Sequence, residues 1–120
     1  MRAGLEKLRE LRPEPVTELE KVEEIARETA DRELLDLCIS RAKAILERSE
    51  WTEPDELEAR ERAYLDFTEQ FVTAVSSVSD EQVAALLQHD SPEDVYNFIG
   101  SLYALEMVQR LEIVSGEVLR

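Results

Sequence analysis

The chain has 120 residues, 43% hydrophobic and 35% charged, and its 28 acidic side chains outnumber its 14 basic ones to give a formal net charge of -14. A surplus of that size repels a phosphate backbone, which proteins hold through Lys and Arg, so nucleic acid is excluded as a partner. Three Gly and four Pro are too few for the turns of a many-stranded sheet, and no run approaches the roughly 18 apolar residues of a membrane span.

The expected fold class is therefore all-α, in one domain able to bury on the order of 65% of its unfolded surface. The opening MRAGLEKLRE carries no apolar core of the signal-peptide kind, and the single Cys38 closes no intramolecular disulfide. A cytoplasmic protein with no membrane association is the expectation.

In chain order, Leu5, Leu8 and Leu11 give residues Arg2 to Arg12 one apolar strip, and Pro13 with Pro15 is expected to end that helix in a short linker. Residues 1–15 thus read as a helix and linker, and 16–120 as the helical core. Thr17 with Glu20 reads as a capping box for a second helix, with Leu19, Val22, Ile25 and Ala26 on its inner face. Asp31 is placed to cap a third, along which Leu34, Leu35, Cys38, Ala42 and Ile45 recur at helical spacing, either as a separate helix or as one kinked rod with the second. Trp51 and Pro54 form a corner, after which Asp55 can cap a helix from about Glu56 to Ser77 that turns Leu57, Tyr64, Leu65, Phe67, Phe71, Val72 and Val75 inward.

Ser79 with Gln82 makes another capping box, for a short helix ending near His89. Ser91 and Pro92 then start a long last helix, apolar nearly all round from Val95 to Val114 and expected to stop at Ser115 and Gly116. A helix of that kind is central or buried in an oligomer. Twelve of the 14 basic residues precede Ala63, so ion pairs are expected in the first half and a plainly acidic surface in the second.

Chemistry-bearing residues are sparse. A di-iron carboxylate site needs two Glu-x-x-His pairs, and the chain holds one histidine, so no metal and no cofactor are expected. Cys38 sits two turns into its helix among Leu and Ile, where burial raises a thiol pKa and disfavours a nucleophile. His89, ending a short helix, is placed to satisfy terminal carbonyls rather than to act as a base.

From Glu61 to Gly116 the sequence carries Glu61-Arg62-Ala63, the run Val78 to Glu81, the turn His89 to Asp94, and Arg110 with Leu111; upstream, Glu33 to Leu37 reads ELLDL. In these features it resembles the carboxymuconolactone decarboxylase and alkylhydroperoxidase D-like superfamily, which implies a bundle of about five helices. The resemblance also implies a redox motif E-x11-C-x2-C-x3-H. Glu33 matches its glutamate, but Ile45, Arg48 and Thr52 stand where the two thiols and the imidazole belong. Cys38, five residues after Glu33, has no second thiol to resolve a sulfenic acid.

Two readings follow. One is a non-catalytic member of this fold that forms a homo-oligomer through its C-terminal helix, or binds another protein or a small ligand, with Glu33 a relic. The other retains weak activity, as a one-cysteine peroxidase at Cys38 or a decarboxylase-like acid/base role for His89.

Overall fold

The computed structural model describes residues 3–118, among which there are six α-helices, one 3-10 turn and no strand. Helix α1 spans Ala3–Leu11, α2 Pro13–Thr29, α3 Arg32–Glu47 and α4 Ala59–Ala74; the 3-10 turn Val75–Ser77 leads to α5, Asp80–Leu87, and to α6, Pro92–Val118. At 1.5 Å per residue the 27-residue α6 is about 40 Å long. It sets the long dimension of a molecule measuring 45 × 29 × 27 Å. Helices α1, α2 and α3 pack along it, and α4 packs on α3 and α5. Aromatic side chains join α4 to α6: Tyr64 meets Phe98 edge-on at 4.6 Å between ring centres, and Phe71 meets Tyr103 edge-on at 6.4 Å.

Local chemistry sets the helix starts, and the first differs from expectation. Pro13 does not end α1 in a linker but takes the first position of α2, where an amide would have no helical partner and a missing N–H loses nothing. The capping box at Thr17 is accordingly absent: Thr17 lies inside the helix, its hydroxyl donating to the Pro13 carbonyl at 3.1 Å. Arg2 lies outside the described residues. Asp31 does cap α3, accepting from the Leu34 amide at 3.2 Å, and extended backbone at Ala30 makes α2 and α3 separate helices.

Glu58, not Asp55, takes the N-cap position of α4, its amide donating to Glu61 Oε1 at 2.9 Å, so this helix starts three residues later than the apolar pattern implies. The Ser79–Gln82 capping box forms, and Ser91 accepts from the Asp94 amide at the start of α6.

The core gathers Leu34, Leu35, Cys38 and Ala42 of α3, Tyr64, Leu65, Phe67 and Phe71 of α4, Leu86 of α5, and Val95, Phe98, Leu102 and Leu105 of α6. Each fully buried leucine here contributes roughly 1.5–3 kcal/mol of transfer free energy. Leu5, Val16 and Val108 are buried outside that cluster, on the three helices α1, α2 and α6 that pack together.

Some expected core positions face outward. Val75 sits in the 3-10 turn and is exposed, as are Val22 and Ile25, because α2 turns Val16 and Ala26 inward instead. Helix α6 buries one side and leaves Tyr96, Tyr103, Met107 and Val114 uncovered. It also runs past Ser115 and Gly116 to Val118, with Gly116 packed against Gly4 of α1.

Candidate functional site

Glu33, Cys38 and His89 do not converge. Glu33 is exposed in the first turn of α3, beside a polar recess that it shares with Asp31, Glu58, Arg60 and Glu61. Cys38 is fully buried. Burial pushes its thiol up to about 12, with hydrogen bonding to Thr68 acting the other way and the charge of Glu61 adding to the rise. At neutral pH the thiol is therefore protonated and inert as a nucleophile. His89 lies exposed in the turn between α5 and α6, next to Asp90, and is not among the groups that act on Cys38.

The positions where the resemblance places two thiols and an imidazole hold other parts of the fold. Ile45 is half-buried against the core. Arg48 is the left-handed residue (φ 56) that ends α3, with the Ser49 amide donating to the Ala44 carbonyl at 2.9 Å. Thr52 is exposed in the corner, next to a Trp51 held by its ring N–H donating to Ser40 Oγ at 3.1 Å and by the Arg41 guanidinium over its face. No group of His, Cys, Asp and Glu among the described residues is arranged to hold a metal ion. Nor, among them, is any helix long and apolar enough to cross a membrane.

One polar constellation is assembled from three chain corners. Arg60 of α4 donates through Nε to Asp90 Oδ2 at 2.9 Å and through Nη1 to Asp31 Oδ2 at 3.1 Å, and Tyr64 Oη donates to the same Asp90 oxygen at 2.7 Å. Burial alone would raise the Asp90 pKa, but hydrogen bonds from Arg60 and Tyr64 outweigh it and hold the carboxyl below its ordinary range. A cavity of about 230 Å³ opens beside the group, between the start of α3 and the first turns of α6, with Asp94, Asn97 and Phe98 on its far wall. Each hydrogen-bonding group of Arg60, Asp90 and Tyr64 named here is matched within the chain, so the constellation works as a clamp on the α2–α3 and α5–α6 corners.

A different kind of opening, apolar in character, lies elsewhere on the surface. A groove of about 490 Å³ runs between α2 and α6 over Phe71, and none of its twelve lining residues is charged in a chain where 35% of residues are. Ile25 is 62% exposed there, Tyr96 77% and Tyr103 59%. A second groove, of about 550 Å³, lies on the other side of Tyr103 along Val75 and Met107 and shares Phe71 and Tyr103 with the first. Its only charged lining residues, Glu106 and Arg110, are paired with each other, and Arg110 also donates to the Val72 carbonyl.

No family model, no curated protein and no solved structure matches the chain. The sequence pattern alone missed the clamp and the outward turn of Val22 and Ile25, which complete the apolar face on the α2 side. Arg60 and its two aspartates are separated by about thirty residues on either side, with no local spacing to link them. The apolar face did leave a signal, since Tyr96, Tyr103 and Met107 recur along one side of α6.

Proposed function

We propose that this chain is a non-catalytic helical interaction domain, a shortened relative of the carboxymuconolactone decarboxylase and alkylhydroperoxidase D-like superfamily, which docks a partner presenting apolar side chains. The single observation that carries the docking role is the uncharged groove between α2 and α6, with Ile25, Tyr96 and Tyr103 exposed along it. Apolar patches of this extent on a soluble surface are characteristic of interaction sites. The absence of chemistry rests on Cys38, which is enclosed, protonated and without His89 in its surroundings. The kinship rests on the residues from Glu61 to Gly116 and on Glu33 to Leu37.

The test has two arms. Purified protein supplied with a hydroperoxide and dithiothreitol is expected to consume neither above the background rate; turnover abolished by Cys38→Ala would overturn the non-catalytic reading. The fluorescent dye anilinonaphthalene sulfonate is expected to brighten on the native protein and to lose most of that signal with Ile25→Glu. A native protein that leaves the dye dark would remove the docking role.

A further inference from the structure

We infer that the partner seated on this face is a second copy of this chain, packed antiparallel across α6; the inference rests on the docking role above and names its occupant. Along the outer side of α6, Tyr96, Gly100, Tyr103, Met107, Arg110 and Val114 follow one another at alternating steps of four and three residues. That alternation defines a coiled-coil seam, in which side chains of one helix enter gaps on the other. The opposite side of α6 is already packed against α1, α2 and α3; along the seam Tyr103 meets Phe71 by its edge and Arg110 is held by Glu106 and the Val72 carbonyl, while Tyr96, Gly100, Met107 and Val114 stay exposed.

Gly100 is the decisive residue. A Cβ built on it would meet nothing within 4 Å, so no contact inside the chain requires a glycine, although glycine weakens a helix interior relative to alanine. At Gly4 the same addition would collide with α6. Gly100 therefore leaves open space on the helix surface between two exposed tyrosines.

The seam carries both the projecting groups, Tyr96, Tyr103 and Met107, and the open space at Gly100 that would receive them. A surface holding both halves is self-complementary, as a twofold interface requires. Charge leaves this face as the place where two copies can meet with least repulsion. Two chains of net charge -14 repel each other wherever acidic surfaces meet, and the groove between α2 and α6 is lined by no charge at all. With Val22 and Ile25 of α2, the seam offers on the order of 600 Å² per copy, against about 800 Å² per partner in a standard interface.

Sedimentation equilibrium at tens of micromolar is expected to give twice the 13.8 kDa chain mass. Gly100→Leu, which fills that space, and Tyr103→Glu, which puts a charge on an exposed seam position, are each expected to weaken association at least ~10-fold while circular dichroism stays unchanged. Gly100→Ala separates packing from helix strength, since it is expected to raise the melting temperature without raising association. A wild-type chain that sediments as a monomer overturns the inference, and so does a dimer that neither Gly100→Leu nor Tyr103→Glu disturbs. In a monomer, dye brightening that Tyr103→Glu abolishes would keep the apolar docking role and remove only the second copy. A monomer on which the dye stays dark would remove both.

Discussion

The Glu112 carboxylate receives the first amides of α1, its Oε1 accepting from Gly4 at 3.0 Å and its Oε2 from Leu5 at 2.7 Å. One side chain thus satisfies two of the four amides that a helix start leaves without partners, and it does so across more than a hundred residues of chain. The contact needs a close approach: a Cβ on Gly4 would overlap the Glu112 carbonyl oxygen and lie 2.6 Å from the Gly116 nitrogen. Gly4→Ala is therefore expected to lift α1 off α6 and to cost about 1–3 kcal/mol despite the better helix propensity of alanine. Chemical denaturation followed by circular dichroism would measure it. A stabilised Gly4→Ala would show that α1 is not held in this way.

Arg48 ends α3 with φ 56, in the left-handed region where a side chain is strained. Arg48→Gly removes the strain at the position that most favours glycine, with a larger unfolded-state entropy acting in opposition. A net gain of roughly 0.5 kcal/mol is expected, visible as a rise in melting temperature.

The Asp90 carboxyl is held below its ordinary pKa, so the sign of its linkage is fixed. Its contribution to stability is present in full above the unfolded-state value of about 3.9 and is lost as pH falls through the lower folded value. Asp90→Asn is expected to lower stability at pH 7 by about 1–3 kcal/mol and to flatten the acid limb of a stability-against-pH curve below about pH 4. An unchanged acid limb would mean that the clamp contributes nothing.

Cys38 works in the opposite direction. Its folded value, pushed up to about 12, lies above that of an unfolded thiol near 8.5, so the stability it contributes is complete below that pH and falls as pH rises toward the folded value. Cys38→Ala is expected to cost about 1–2 kcal/mol at pH 7 by leaving a small cavity, and to soften the alkaline loss of stability. Iodoacetamide should alkylate the native thiol only through opening of the fold, at a rate that climbs with urea; fast labelling of native protein would place the sulfur at the surface.

The helical class was legible because the apolar residues of α3, α4 and α5 recur at the helical period and because Asp31, Ser79 and Ser91 are caps whose partners lie three residues away. Local chemistry of that kind is written in adjacent positions. The start of α2 was misread because Pro13 serves equally as a helix stop and as a first helical residue, and only the α1–α2 packing decides between them. The outward turn of Val22 and Ile25 was hidden for a related reason: an apolar arc wider than one face leaves open which part of it the neighbours cover. For the site, sequence placed Cys38 in the core and read His89 as satisfying terminal carbonyls of its helix, while the Arg60 clamp, joining residues about thirty positions apart, had no periodic signature.

The hold of Glu112 on α1 has a consequence in time. Helix α1 is nine residues long, too short to persist alone in water. Its cap is translated 107 residues after Leu5, and at about 5–20 residues per second that delay is on the order of 5–20 s. During synthesis α1 is thus made well before the residue that secures it, and for those seconds Leu5 is an exposed apolar side chain on an unanchored arm.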